Sequence, residues 1–503
     1  MNIVIVGCGN IGFETAKQLC SEHTLLLINH SCPEDVAQFV QKHDNVWFSL
    51  ADATDQSSME AALTKYNGKF NRVDALVSTV GASCPTSAID DIEQFKSEFH
   101  LNFFGNLVPI QAVLKQMLPV GSGRIVVISS TSGVFAYPGL KAYVPAKWAL
   151  TNFCRNLRDK IKQHGIYVDI VFPASIKNQR SRTFLFEDGI EPEKVAIEIT
   201  RILKGKKNNN RFVPRRYVLL HTLERLFPRV LDIRAGLQRK RRKLFRDQKV
   251  DSVLITGASS ELGKRLAMVY AKTAKRLYLL GSNEQALSEV KRLITCSSDC
   301  KVDEVYLDLA DCRTVASLVD RIESVELIIN NTEFSISDPL DNIPIPDYEL
   351  CLNNNLFGAV NLVAEFLRKQ VPPVKIINII PMAAKEDRCR FGCHSAGQAA
   401  LWAFTRSLRR TFGNKIQVME VILAKQQENY CGADATTEVE DHVKYEHGCH
   451  QSGKAMSIVV PLIAQVAARQ IHEFERQGRE VVFFPFRYKL YMYLAAILPW
   501  RLG

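Results

Sequence analysis

The sequence predicts two α/β domains in tandem, each a doubly wound parallel sheet with helices on both faces. Three observations predict it. Short β-branched runs alternate with longer helical stretches, an apolar run passes through a glycine turn into a helix near residue 1 and again near residue 250, and several further segments occur twice at nearly constant spacing. Strand and helix in alternation imply βαβ units, right-handed crossovers and therefore parallel sheets.

In the first half, Asn2–Val6 runs into Gly7, and Leu25–Asn29, Asp74–Ser78, Arg124–Ser129 and Val168–Phe172 read as further strands. Gly12–Cys20 and Tyr143–His164 read as helices between them. The second half repeats the series. Ser252-Val253-Leu254-Ile255-Thr256-Gly257 echoes the first strand, Asn355-Leu356-Phe357-Gly358 echoes Asn102-Phe103-Phe104-Gly105, and Lys375–Ile379 echoes Arg124–Ile128. Phe483–Tyr488 echoes Phe212–Tyr217 at a larger offset, which places an insertion within Gln426–Lys454, a polar stretch that reads as a loop. The expected domains are 1–232 and 250–503, joined by a basic linker, 233–249.

Charge marks that junction. The net charge is +11, yet 17 Lys/Arg against 3 Asp/Glu lie between Arg201 and Val250, leaving 47 against 50 elsewhere. The densest run is Arg239-Lys240-Arg241-Arg242-Lys243. A solvated connector, an anionic lipid surface and nucleic acid would each suit such a run, in that order of preference, and the expected partners exclude nucleic acid. The 47% apolar content excludes a disordered or collagenous chain. Thirteen Cys without zinc-type pairing, and a first segment that reads as a strand rather than a signal peptide, predict reduced thiols and a cytoplasmic protein.

Gly7-Cys8-Gly9-Asn10-Ile11-Gly12 is G-x-G-x-x-G between a strand and a helix, so each domain is expected to be Rossmann-like. The glycines permit a tight turn and a close approach of backbone to a pyrophosphate at the helix N-terminus. After the second strand stands Asn29-His30-Ser31, with no carboxylate to repel a 2′-phosphate. NADP is therefore favoured; NAD stays possible because no Arg is there to bind the phosphate. Ser130 is followed by Tyr143 and then Lys147, four residues on and on the same helix face. An ammonium beside a phenol favours the phenolate and would make Tyr143 a general acid/base near neutral pH. Ser130, at a strand end, would donate to a substrate carbonyl.

With Ile128-Ser129-Ser130, Tyr143-Val144-Pro145-Ala146-Lys147, Asn102-Phe103-Phe104-Gly105 and Leu50-Ala51-Asp52 in place, the sequence resembles the short-chain dehydrogenase/reductase family over about 1–230 and again over 250–503. The resemblance implies that Tyr143 transfers the proton, Lys147 binds the nicotinamide ribose and tunes Tyr143, Ser130 orients the carbonyl, Asn102 holds a relay water and Asp52 contacts the adenine. Three departures stand out: the shortened Gly7–Gly12 turn, Ser78-Thr79-Val80-Gly81 where the family has Asn-Asn-Ala-Gly, and Pro173-Ala174 for Pro-Gly.

At an offset of 251, Ser130, Tyr143 and Lys147 become Pro381, His394 and Gln398. Glu261 replaces a glycine of the second phosphate turn, Gly257–Gly263. The second half therefore reads as a degenerate domain, with a different His394 chemistry as the alternative. Family members pair across two-fold interfaces, which implies an intramolecular pseudo-dimer here. Each half closes on an apolar, basic-flanked segment, Tyr217–Pro228 and Tyr488–Pro499, suited to interdomain packing or to lying on a membrane surface. The expected activity is an NADP-preferring carbonyl reductase or alcohol dehydrogenase in the first half, acting on a small-molecule or lipid-linked carbonyl. A non-catalytic dinucleotide sensor or scaffold, and one component of a redox epimerase for polysaccharide precursors, are the alternatives.

Overall fold

The computed structural model describes residues 1–66, 72–83, 89, 91–139, 141–177, 189–205, 208–226, 249–336, 344–369, 375–384, 392–412, 415–423, 464–477, 479 and 481–484. The Arg239–Lys243 run, the Gln426–Lys454 stretch and the Tyr488–Pro499 tail lie outside them.

The first sheet holds seven strands: β1 Asn2–Val6, β2 Thr24–Asn29, β3 Val46–Leu50, β4 Ala75–Ser78, β5 Gly123–Ile128, β6 Ile166–Pro173 and β7 Asn210–Val213. Their order is β3-β2-β1-β4-β5-β6-β7, and all pairings are parallel. The chain starts in the middle, winds out to β3 and returns to continue through β4 to β7. Direction reverses between β1 and β4, where open α/β sheets bind ligands beyond the strand C-termini. Register sets Val6 opposite both Ile28 and Ser78, and Ser78 opposite Val127. The residues that follow these strands, Gly7, Thr79 and Ser129-Ser130, thus share one edge of the sheet.

Helices α1 Asn10–Leu19, α2 Glu34–Gln41, α3 Gln56–Thr64, α4 Ile92–Val120, α5 Tyr143–Ile161, α6 Pro192–Leu203 and α7 Arg216–Leu226 accompany the strands. α1 buries Gly12, Thr15, Ala16 and Leu19 at helical spacing against the sheet and α6. Ile3, Ile5, Leu25, Leu27, Ala75, Val77, Val126 and Ile128 supply the sheet side of that core by strict alternation.

The second sheet repeats this order as β10-β9-β8-β11-β12-β13-β14, with β8 Ser252–Thr256, β9 Arg276–Gly281, β10 Lys301–Tyr306, β11 Leu327–Asn330, β12 Lys375–Pro381, β13 Gln417–Leu423 and β14 Val481–Phe484. Its helices are α8 Glu261–Tyr270, α9 Glu284–Thr295, α10 Cys312–Arg321, α11 Ile345–Leu352, α12 Gly358–Arg368, α13 Gly392–Phe412 and α14 Ala464–Arg476. The repeat extends to buried charge. Arg124 Nε stands 3.6 Å from Asp169 in the first sheet; at an offset of 251, Lys375 pairs with Glu475 and Glu420 lies 3.8 Å from Arg409. Compactness groups Met1–His221, Ser337–Leu350 and Ala383–Ser407 into one unit and Thr222–Ile336, Cys351–Met382 and Leu408–Gly503 into another. Among the described residues no helix is long and apolar enough to cross a membrane.

Candidate active site

The glycine turn is built by crowding. Gly7 has φ +91°, a conformation that side chains disfavour, and a Cβ on Gly12 would stand 1.9 Å from Gly7 O. Thr79 Oγ1 donates to Gly7 O at 2.6 Å and fastens the turn to the end of β4. Gly9 differs: nothing lies within 4 Å of a Cβ placed there, and its backbone is extended. Gly9 caps α1 without a side-chain hydrogen bond, so the helix start at Asn10, Ile11 and Gly12 faces an open space with its dipole positive. Burial pushes the Cys8 thiol up to about 12, with Cys32 and Asp35 adding to the shift, so it stays protonated and is a packing residue of the turn.

Asn29 holds the turn from the other side. Its Oδ1 accepts from Cys8 N at 3.2 Å, and its Nδ2 donates to Ser31 O at 2.8 Å. Asp52 Oδ1 accepts from Thr54 N and Thr54 Oγ1, both at 2.8 Å, which fixes an exposed carboxylate just past β3.

The residues expected to carry acid/base chemistry meet at the ends of β4 and β5. Ser130 caps a single 3-10 turn, Thr131–Gly133, its Oγ accepting from Ser132 N at 3.0 Å, and its hydroxyl lies close enough to the Tyr143 phenol to pull its pKa down. Tyr143 opens α5, which lets Pro145 sit where no intrahelical N–H is required. Lys147 is 2% exposed; its Nζ donates to Val80 O at 3.2 Å and Ile128 O at 3.3 Å and lies 5.7 Å from the Tyr143 ring centre. Asn102 Nδ2 donates to Ala82 O at 2.7 Å and Glu98 O at 2.8 Å, while its buried Oδ1 accepts nothing among the described residues. Gly81 sits between the two, with its hypothetical Cβ 2.6 Å from Asn102 Oδ1 and 2.8 Å from Lys147 Nζ.

One expectation is corrected. Lys147 was to lower the Tyr143 phenol; instead burial raises it, the Ser130 hydrogen bond pulls it down, and the Glu98 carboxylate raises it further. The reason is that Lys147 is itself desolvated. Its burial among neutral carbonyls lowers it to about 7, so it holds its charge far less firmly than an ordinary lysine. The sequence reading missed Glu98, whose place one helical turn before Asn102 on α4 would have signalled it, and Asn106, which donates to Val80 O at 3.0 Å beneath the lysine.

The Lys147 shift makes stability depend on pH. The folded protein binds fewer protons than the unfolded chain between pH 7 and the usual lysine range, so this lysine destabilises less as pH rises through that window. The wild-type protein without added ligand should gain on Lys147→Met by up to about 1.4 kcal/mol per pH unit above pH 7. Paired urea titrations across pH 7 to 9 check this; a difference that stays flat rejects the buried, depressed lysine.

The second unit keeps the scaffold and closes the openings. A Cβ on Gly263 would stand 2.2 Å from Gly257 O, the same crowding as in the first turn. Here, however, Ser260 Oγ accepts from Gly263 N at 3.1 Å and receives Asn331 Nδ2 at 3.1 Å, so α8 is capped from within. Glu261 is turned to Arg265, whose Nε donates to it at 2.6 Å. Asn355 exchanges two amide bonds with Phe334, at 2.9 and 2.7 Å, so its Oδ1, unlike that of Asn102, already accepts a hydrogen bond. It lies in a π-helical turn, Asn353–Phe357, a place where helices absorb an extra residue.

A glycine turn at the switch point of a doubly wound sheet, with Ser, Tyr and Lys gathered beside it, defines a Rossmann-type oxidoreductase. The chain belongs to the short-chain dehydrogenase family: the model described as short chain dehydrogenase matches residues 1–186 and 251–426. Among curated relatives it is similar to short chain aldehyde dehydrogenase 1 of Euphorbia lathyris (26% identical, over 41% of this chain and 74% of that protein). Oxidoreductase BOA17 of Botryotinia fuckeliana is 30% identical over 33% of this chain and 62% of its own length. The 3-dehydrosphinganine reductase of Danio rerio is 31% identical over 25% of this chain, which spans only 38% of that protein. Among solved structures, the N-domain of a bacterial malonyl-CoA reductase, determined with NADP, covers 96% of this chain and 97% of its own at TM-score 0.68 and 15% identity. An N-terminal ketoreductase from a macrolactin assembly line covers 96% and 86% at TM-score 0.64 and 12% identity. At these identities the structures share the fold.

Proposed function

We propose that the first repeat is an NADP(H)-dependent carbonyl reductase, reversible as an alcohol dehydrogenase, and that the second binds no dinucleotide. The observation that carries this is the placing of Ser130 beside the Tyr143 phenol at the sheet edge, with Lys147 one turn further along the helix and the uncapped start of α1 nearby in the same crevice. Gly7, Gly9, Asn10, Ile11 and Gly12 would take the pyrophosphate, Asn29 and Asp52 the adenosine end, and Gly81, Tyr143 and Lys147 the nicotinamide ribose. Bound NADPH supplies a hydride to the carbonyl carbon. Ser130 and Tyr143 hold the carbonyl oxygen between two hydroxyls, and Tyr143 delivers the proton. Its raised phenol suits the donor role, since it is fully protonated at neutral pH. Lys147 and Asn102, whose Oδ1 stands ready for a water, replace that proton.

The substrate class we favour is a ketone of lipid character. Support comes from two relatives whose names carry such a substrate, the Danio rerio enzyme and the 3-ketodihydrosphingosine reductase of Dictyostelium discoideum, the latter 26% identical over 58% of its length. Calorimetric titration of the full chain with NADPH should give one site per chain, and NADPH consumption should be faster with a long-chain β-keto amphiphile than with a short water-soluble ketone. Two equivalent sites, or no titration at all, would reject the division of labour between the repeats.

A further inference from the structure

We infer that the outward face of α7 is a docking surface for an anionic lipid bilayer. This interface stands apart from the reaction assigned above and does not depend on it. α7 is held to its unit by Tyr217 and His221, one turn apart. Tyr217 is buried with its ring 6.1 Å from Phe135, and the His221 ring lies 5.9 Å from Phe135 and 5.4 Å from Phe212. Phe135 stands two residues past the turn that Ser130 caps, so the helix packs on the segment leading out of the candidate active site. With that face inward, Val218 and Leu219 point away from the core and are 48% and 67% exposed. They are the one adjacent pair of exposed large apolar residues among the described residues.

Charge says what covers them. Arg215 and Arg216, separated from the pair only by the buried Tyr217, are exposed. The fifty residues from Arg201 to Val250 carry 17 Lys/Arg against 3 Asp/Glu, whereas the rest of the chain is slightly acidic. A basic stretch with no apolar component fits any polyanion. Apolar side chains presented beside guanidinium groups fit a surface with phosphates above and acyl chains below, which is the amphipathic pattern of interfacial helices. Nucleic acid offers no such apolar layer to a pair of aliphatic side chains on a helix face.

The full-length protein would be sedimented with phosphatidylcholine vesicles with and without phosphatidylserine, at low and high salt. Co-sedimentation should require phosphatidylserine and fall with salt, because the attraction is screened within a Debye length. Val218→Ser/Leu219→Ser leaves the charge unchanged and should reduce partitioning roughly tenfold. NADPH titration of the same variant, expected to match wild type, shows that it is folded. Wild-type protein that stays in the supernatant at low salt overturns the inference. So does sedimentation indifferent to the serine pair, which would assign binding to the basic segment alone, and so does retention on a DNA duplex as tight as on vesicles.

Discussion

Tyr143→Phe should lower turnover on a carbonyl substrate roughly 10²–10⁴-fold and leave NADPH affinity within about threefold of wild type, since the ring, its packing on α5 and the Lys147 contacts all remain. What is removed is one proton and one hydrogen bond to the carbonyl oxygen. Single-turnover absorbance at the nicotinamide band separates the two quantities in one experiment. Because burial and Glu98 both raise the phenol, the wild-type rate in a single turnover, which uses only the proton Tyr143 already holds, should also hold steady above neutrality before it falls. Activity within a few-fold of wild type in the phenylalanine variant would sink the mechanism.

Two of the three glycines of the phosphate turn, Gly12 and Gly9, should separate ligand from fold. Gly12→Ala forces a methyl group against the Gly7 carbonyl, a backbone atom with no rotamer to escape into. Overpacking of that kind costs about 1–3 kcal/mol, so both melting temperature and NADPH affinity should fall, the latter by on the order of 100-fold as the turn is displaced from the dinucleotide. Gly9→Ala meets no atom of the protein and adopts an allowed backbone conformation. It should leave stability unchanged or raise it by about 0.4–1 kcal/mol, yet weaken NADPH binding roughly tenfold or more by filling the space a phosphate needs. Calorimetric titration and thermal melts of both variants check the pair. If Gly9→Ala binds NADPH as well as wild type, the open space at the start of α1 is not the pyrophosphate site.

Much of this was legible in the sequence. The β-branched runs placed β2, β4, β5 and β6 within two residues of their observed ends, because a strand buried on both faces announces itself by composition alone. The 251-residue offset paired Arg124 with Lys375 and set Ser130, Tyr143 and Lys147 opposite Pro381, His394 and Gln398. The electrostatics were not legible. Whether a lysine four residues from a tyrosine lowers its phenol or has its own pKa lowered by burial depends on the Val80 and Ile128 carbonyls around Nζ, and these come from the segment after β4 and the end of β5. Nor does spacing reveal that Glu261 turns to Arg265 instead of toward the phosphate turn, or that Ser260 fills the cap position. Those outcomes are set by rotamers one bond away from where the pattern ends.

The amide of Asn29 couples two properties that coenzyme engineering treats as separate. An acidic residue at the end of β2 is the usual way to turn preference from the phosphorylated coenzyme to the plain one. In this chain that position also receives Cys8 N and donates to Ser31 O, so it is a strut between the phosphate turn and the adenosine side of the crevice. Asn29→Asp would keep the acceptor and delete the donor, releasing the His30-Ser31 bend while it adds a charge. A swap of coenzyme preference here therefore carries a second change with it, a loosened crevice wall, and a redesign would have to supply a new donor to Ser31 O along with the new carboxylate.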